Sequence, residues 1–206
     1  MTRSLESKIR HIIEGLVSAF LLCFQYIPTF GLPEMGPMIL PLAAYIAGLL
    51  WVYPENFGFA LNELLFSERL MFGRIVAAIG LIIFLVACFE FLRRHDKIIT
   101  RGLYSAVRHP QYFGIIIMTL GISIMSIQYS REASRSSVAW LIQVFGYLLL
   151  AGYEERRLMR EYENEYQQYR QRVAFVFPVP ATTKIPEPFL SIILSLIIAF
   201  FLAFLL

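Results

Sequence analysis

The sequence predicts an all-α integral membrane protein, because its composition is strongly apolar and its apolar residues form segments long enough to span a bilayer. Hydrophobic residues make up 58% and charged residues 16% of the 206 residues, against about 45–50% and 25% in soluble domains. A spanning helix needs about 20 consecutive apolar residues. The four segments that best meet this requirement are Met71 to Leu92, Tyr112 to Tyr129, Ser137 to Tyr153 and Phe189 to Leu206.

Two earlier segments are weaker candidates, so we expect five or six transmembrane helices. Ile12 to Ile27 is short and carries Glu14, while Met38 to Tyr53 carries Pro41. A short interfacial helix is expected after them, around Leu61 to Phe66. We therefore divide the chain into N-terminal membrane segments (1–70), a core (71–187) and a C-terminal transmembrane helix (188–206).

The distribution of charge indicates orientation in a membrane rather than a nucleic-acid partner. The formal net charge is +3, whereas nucleic-acid-binding domains concentrate a large positive charge on one face. Most arginines lie in two stretches, Arg93 to His109 and Arg156 to Lys184, and positive loops stay on the cytoplasmic side. Two spans separate these stretches, so both fit one side. The N-terminal cations fit less well, because three intervening spans would place them outside: Arg3, Lys8 and Arg10.

From Glu154 the pattern is that of an amphipathic helix of the soluble type. Apolar and aromatic residues recur at spacings of three and four, with charged and amide residues between them. We expect this helix to lie on the membrane surface or to cap the bundle, and to end at Phe177-Pro178-Val179-Pro180, because proline lacks the N–H that would continue it. The residues on its apolar face are Leu158, Tyr162, Tyr166, Tyr169 and Val173.

A first candidate binding site is the stretch Gly102-Leu103-Tyr104 followed by Arg108-His109-Pro110-Gln111-Tyr112-Phe113-Gly114. Pro110 suits the first position of a helix, where unpaired N–H groups make a positive end that binds anions. Arg108 and His109 add donors, and Gly114 would let a flat ring or another backbone approach. The alternative is that Arg108 and His109 are only positive residues at the cytoplasmic start of a helix.

A second candidate site is the pair Glu154-Glu155 at the end of the fifth segment. Carboxylates at the negative end of a helix dipole are disfavoured by about 0.3–1 kcal/mol each, so something must compensate for them. Arg156 and Arg157 do this structurally in one interpretation. In the other, the carboxylates accept hydrogen bonds from hydroxyl or ammonium groups of a ligand at the membrane boundary.

Together the two sites give the order Tyr-x3-Arg-His-Pro-x-Tyr-x-Gly, apolar hairpin, Glu-Glu, Tyr-rich helix and Val-x4-Pro, over about Ile98 to Pro178. This order resembles the isoprenylcysteine carboxyl methyltransferase and phospholipid methyltransferase superfamily, in which this part of the chain binds S-adenosylmethionine near the cytosolic face. The resemblance implies a cofactor site made of Tyr104, Arg108, His109, Pro110, Tyr112, Gly114, Glu154, Glu155, Tyr166 and Tyr169.

The resemblance also implies a reaction and a class of substrate. We expect Arg108, Glu154 and Arg156 to be the catalytic residues, and a lipophilic acceptor such as a prenylcysteine, a phospholipid amine or a small hydrophobic nucleophile. No metal is expected, because transfer from a sulfonium needs mainly positioning in a dry pocket. Cys23 and Cys88 show no metal-ligand spacing. The oligomeric state is left open.

Two alternatives remain at this level. Membrane NADPH-dependent sterol and steroid reductases have a similar Arg-His-Pro helix start, but their downstream signature contains a tryptophan that is missing between Tyr162 and Tyr169. A scaffold without catalysis would use both sites structurally. One departure affects the acceptor, since isoprenylcysteine enzymes commonly have an arginine shortly before the Glu pair, whereas residues 145–153 contain no cation.

Overall fold

The structure is a computed structural model that describes residues 36–52, 63, 66–93, 98–130, 133–179 and 186–205. The chain divides into two compact units, Met1–Leu40 and Pro41–Leu206. Few residues of the first unit are described, and the second contains the bundle discussed below. The helices are α1 (Ile39–Val52), α2 (Met71–Leu92), α3 (Pro110–Ser130), α4 (Ala133–Glu161), α5 (Glu163–Arg172) and α6 (Glu187–Leu205).

The apolar segments form the predicted helices, and the all-α membrane fold is confirmed. Among the described residues, four helices are long and apolar enough to cross a bilayer: Glu68–Leu92, which includes a 3-10 turn at its start, Pro110–Ser130, Ala133–Glu161 and Glu187–Phe204. Helix α1 is a shorter apolar helix. The predicted segment Ile12 to Ile27 lies outside the described residues, as does most of the predicted interfacial helix at Leu61 to Phe66.

Helices α2 and α3 form a tight antiparallel hairpin because glycines replace side chains where the two backbones meet. A Cβ atom on Gly80 would overlap the backbone of Met118, and one on Gly114 would lie 2.5 Å from the backbone nitrogen of Phe84. One heptad away, Gly73 faces the carbonyl of Gly121 in the same manner. Small residues allow this close approach, which gives dispersion contacts where lipid leaves no hydrophobic driving force between helices.

Several polar side chains inside the bundle are paired, as a low-dielectric environment requires. The Trp140 indole N–H of α4 donates to the Ile116 carbonyl of α3 at 3.1 Å. The Tyr45 hydroxyl of α1 donates to the Thr119 carbonyl at 3.0 Å and lies 2.9 Å from the Ser123 hydroxyl. These bonds fix α1 and α4 against α3.

The predicted amphipathic helix differs from the observed one at both ends. Helix α4 continues through Glu154 to Glu161. The helical conformation is interrupted at Tyr162, and α5 begins at Glu163. A spanning helix can therefore extend into water as a charged helix without interruption. Helix α5 ends at Arg172 rather than at the prolines, because the backbone that follows pairs with the chain before α3.

The path of the chain brings four helix ends together. Helix α2 ends and α3 begins on one side of the bundle, and α4 ends and α6 begins on the same side, as contacts among Arg108, Glu155 and Glu187 show. The outer surfaces of α2 and α6 expose large apolar side chains, including Ile82, Leu85, Phe200 and Phe204. Lipid is the natural environment of these surfaces, so polar chemistry is confined to the helix ends.

Candidate active site

The loop before α3 is shaped by a glycine and by a carboxylate of α2. Gly102 has a φ of 59°, in the left-handed region that disfavours other residues. A Cβ atom there would also overlap the carboxylate of Glu90. The same carboxylate accepts the backbone N–H of Leu103 at 3.0 Å. Glu90 was not predicted, because its apolar neighbours gave no signal of its contact with the loop.

A short parallel contact joins this loop to the segment after α5. Val107 and Ala174 form an isolated bridge. The Arg108 N–H donates to the Ala174 carbonyl at 2.8 Å, and the His109 N–H donates to the Phe175 carbonyl at 3.3 Å. The start of α3 is therefore held in place by the backbone 65 or more residues further along the chain.

Arg108 is the centre of a buried polar cluster. Its Nε donates to Glu155 at 2.6 Å, and its NH1 donates to the Arg170 carbonyl at 2.9 Å and to the Val173 carbonyl at 2.5 Å. Its NH2 donates to Glu187 at 2.5 Å. The side chain is 1% exposed, so these partners replace water around its charge. One side chain thus connects α4, α5 and α6.

His109, Tyr112 and Glu154 form one wall of the site. The Tyr112 hydroxyl donates to one oxygen of Glu154, and His109 Nδ1 lies 3.3 Å from the other. The rings of His109 and Tyr112 are nearly parallel, with centroids 5.5 Å apart, and Tyr147 stacks on Tyr112 at 5.1 Å. The result is an aromatic wall with a carboxylate at its edge.

The carboxylates of the site favour positive charge on its basic residues. Burial lowers the pKa of His109, but the Glu154 and Glu155 carboxylates raise it by more, so that the pKa is above its usual range. For Arg108, burial lowers the pKa, and Glu187 and Glu155 together outweigh that effect. Burial raises the pKa of Tyr104, which therefore stays protonated.

Residues of α2, of the loop before α3, and of α3, α4 and α5 surround a cleft with a volume of about 110 Å³. Three of its polar atoms are buried and have no hydrogen-bond partner among the residues that the structure describes: Tyr104 Oη, His109 Nε2 and Gln111 Nε2. His109 Nε2 lies 3.7 Å from a Glu155 oxygen, which is beyond hydrogen-bond distance. Buried polar groups are usually satisfied, and three unpaired groups in one cleft indicate a polar ligand. The lining residues are Phe91, Ile98, Ile99, Tyr104, Arg108, His109, Gln111, Tyr112, Glu154, Leu158, Tyr166 and Tyr169.

Most of the predicted site residues lie at this cleft. Glu155 does not line the cleft itself but pairs with Arg108, which does. Pro110 is the first residue of α3, as its missing N–H suggested. Gly114 packs against the backbone of α2, which is the second of the two uses predicted for it. Arg156 is exposed on α4 and does not line the cleft, so its catalytic role remains a prediction.

Three residues outside the prediction contribute to the site. Gln111 lines the cleft, Tyr147 extends the aromatic wall, and Glu187 pairs with Arg108. Gln111 lies between Pro110 and Tyr112 in the motif and could have been found there. Tyr147 and Glu187 lie in apolar segments and carried no such signal. No group of His, Cys, Asp or Glu able to hold a metal ion occurs among the described residues.

The fold defines an integral membrane protein with a polar cleft at the ends of its helices, and comparison with known proteins shows which families it resembles. The family model for phospholipid methyltransferases matches residues 70–165. Protein-S-isoprenylcysteine O-methyltransferase B of Arabidopsis thaliana is 30% identical over 79 residues, 38% of this chain and 38% of that protein. Probable protein-S-isoprenylcysteine O-methyltransferases of Oryza sativa subsp. indica and subsp. japonica are each 31% identical over 77 residues, 37% of this chain and 38% of theirs.

These matches confirm the resemblance to the isoprenylcysteine and phospholipid methyltransferase superfamily. The segment 70–165 includes α2, the Arg108-His109-Pro110 helix start and the Glu154-Glu155 pair. The aligned regions span 38% of the length of the relatives named above. No solved structure matches the chain. The comparisons give no support to the reductase alternative.

Proposed function

We propose that this protein is an S-adenosylmethionine-dependent methyltransferase that acts on a lipophilic acceptor at the membrane boundary. The observation that carries the proposal is the cleft, in which Tyr104, His109 and Gln111 present buried polar atoms that have no partner in the described part of the chain. Both motifs of the matched family segment line or support this cleft. The family supplies the class of reaction, and the unpaired atoms supply the place for a polar cofactor.

The residues of the cleft fit the chemical groups of S-adenosylmethionine. This cofactor supplies a methyl group on a sulfonium, whose departure leaves a neutral thioether. Glu154 accepts hydrogen bonds from ligand hydroxyl or ammonium groups, and its side chain is 38% exposed, so a ligand can reach it. The Glu154 carboxylate also attracts a nearby cation such as the sulfonium. Arg108, with its partners inside the protein, positions the helix start, and its catalytic role remains a prediction.

A titration of the purified protein in detergent with S-adenosylmethionine and, separately, with NADPH tests this proposal. We expect saturable binding of S-adenosylmethionine alone. Glu154→Ala and His109→Ala should each weaken that binding by about 1–3 kcal/mol, the typical value of a charge-assisted hydrogen bond. Glu165→Ala is the matched control, because Glu165 is an exposed carboxylate of α5 outside the cleft. Binding of NADPH with no response to S-adenosylmethionine would replace the proposal by the reductase alternative.

We infer an acceptor without a free carboxylate, so a phospholipid amine or a small hydrophobic nucleophile is preferred to the acid of a prenylcysteine. Arg108 is the arginine that lines the cleft among the described residues, and two carboxylates and two carbonyls already hold it. Burying an unpaired carboxylate beside Glu154 is costly. Methyl transfer to phosphatidylethanolamine, a hydrophobic phenol and a farnesylcysteine analogue should be compared. Preferential methylation of the farnesylcysteine acid contradicts this inference.

We place the cleft on the cytoplasmic side, because the loops that form it carry the positive excess. Arg101 lies before the start of α3, and Arg135 lies at the start of α4, beyond the other end of α3. Single cysteines at these two positions should therefore be labelled from opposite sides of sealed vesicles. Labelling of position 101 from the outer side of right-side-out vesicles contradicts this orientation.

A further inference from the structure

Helix α6 lies outside the matched family segment, yet its first residue enters the polar cluster. The family model ends at residue 165, and α6 begins at Glu187. The Glu187 carboxylate accepts from Arg108 NH2 at 2.5 Å and is 19% exposed. Its second oxygen is buried and has no hydrogen-bond partner among the described residues. Within this part of the chain, Arg108 is the cation that pairs with the carboxylate.

The second carboxylate of the cluster is that of Glu155, which Arg108 shares with His109. Glu155 Oε1 lies 2.6 Å from Arg108 Nε and 3.7 Å from His109 Nε2. Both basic groups thus approach the same oxygen. If Glu187 no longer neutralises one end of the guanidinium, the buried charge of Arg108 depends more strongly on Glu155, and the position of Glu155 beside His109 changes with it.

We propose that Glu187 is a positioning residue of the cofactor site, so that α6 is a functional part of that site. Glu187 holds Arg108, and Arg108 holds Glu155 beside His109, which lines the cleft. This inference rests on the function proposed above, since the ligand whose binding it affects is S-adenosylmethionine. Glu187 lies 79 positions from Arg108 in the sequence and outside the matched family segment. The site would therefore include a residue that the family segment does not contain.

Three variants separate the charge of Glu187 from the packing of α6. Glu187→Gln keeps the size and removes the charge, and Glu187→Asp keeps the charge and shortens the side chain. Ser191→Ala is the matched control, because Ser191 is buried one turn further along α6 and its hydroxyl donates to the Glu187 carbonyl at 3.0 Å. We expect the dissociation constant for S-adenosylmethionine to rise about tenfold in Glu187→Gln, less in Glu187→Asp, and not in Ser191→Ala.

A double-mutant cycle with Arg108→Lys shows whether Glu187 acts through Arg108. Lysine keeps the charge but cannot make the forked contacts of the guanidinium, so Glu187→Gln should weaken cofactor binding less in that background than in the wild type. The KM for the methylated acceptor, phosphatidylethanolamine or the farnesylcysteine analogue, should stay unchanged in Glu187→Gln. A purely structural defect would raise both the dissociation constant for S-adenosylmethionine and the KM for the acceptor.

Each outcome decides between the proposals. Unchanged cofactor affinity in Glu187→Gln, or an effect that is fully additive with Arg108→Lys, overturns the role of Glu187 while the proposed function stands. If Glu187→Gln does not fold, unchanged affinity in Glu187→Asp overturns it. A wild-type protein that does not bind S-adenosylmethionine contradicts the proposed function itself, and this inference with it.

Discussion

The interface between α2 and α3 and the cluster around Arg108 are both buried, but they depend on different properties of their residues. In the interface, Gly80 and Gly114 leave space that the neighbouring backbone fills. In the cluster, one guanidinium is surrounded by the carboxylates of Glu155 and Glu187 and by backbone carbonyls. The interface should therefore respond to added volume, and the cluster to lost charge.

The largest effect is expected for Arg108→Gln. This change removes the cation that pairs with both Glu155 and Glu187, and breaking a buried ion pair costs about 3–5 kcal/mol. Chemical unfolding in mixed detergent micelles should show a free energy of unfolding lower by this amount. Combining Arg108→Gln with Glu155→Gln and Glu187→Gln should recover part of the loss, because no charge is then left unpaired. Equal stability of Arg108→Gln and the wild type would show that water reaches the cluster.

A single methyl group should test the interface. Gly80→Ala places a Cβ atom into the backbone of Met118, and overpacking costs about 1–3 kcal/mol. Gly152→Ala is the matched control, because nothing lies within 4 Å of the Cβ position there. The same substitution should stabilise α4 at Gly152 by about 0.5–1 kcal/mol through its helix propensity. Stabilisation by Gly80→Ala as well would mean that the helices do not approach as closely as described.

The smallest effect is the dependence of stability on pH. Because the pKa of His109 is raised in the folded protein, its contribution is fully present below the unfolded pKa of about 6.5 and is lost as the pH rises through the folded pKa. Thermal unfolding midpoints of the wild type and of His109→Gln should therefore differ most near pH 6 and converge at higher pH. His11 and His95 are common to both proteins and cancel in this difference. A difference that grows with pH would contradict the raised pKa.

The helices that span the membrane could be predicted from the sequence more fully than the contacts between distant segments. Apolar length is a local property, and the predicted span Met71 to Leu92 has the bounds of α2. The boundary at Glu154 was wrong because the residues from Glu154 to Glu161 are charged but still compatible with a helix, and the sequence does not show where a helix leaves the membrane. The break at Tyr162 depends instead on how α5 packs against the bundle through Tyr166 and Tyr169.

The candidate site was predictable to the extent that its residues are neighbours in the chain. Arg108, His109 and Tyr112 share one helix start, and Glu154 with Glu155 forms a pair, so each group had a recognisable pattern. Glu187 had none, because it lies in the first turn of an apolar helix, where an acidic residue is ordinary. Its role appears only when the chain brings α6 against Arg108.

The distance along the chain between Arg108 and its partners has a consequence for biosynthesis. Glu187 follows Arg108 by 79 residues, so at about 5–20 residues per second Arg108 is synthesised roughly 4 to 16 s before it. The α2–α3 hairpin has its glycine contacts available within that interval, whereas Arg108 can contact Glu187 only after α6 has left the ribosome. Until then, water and lipid headgroups can solvate the end of the guanidinium that Glu187 later contacts. The hairpin can thus form before the polar cluster is complete.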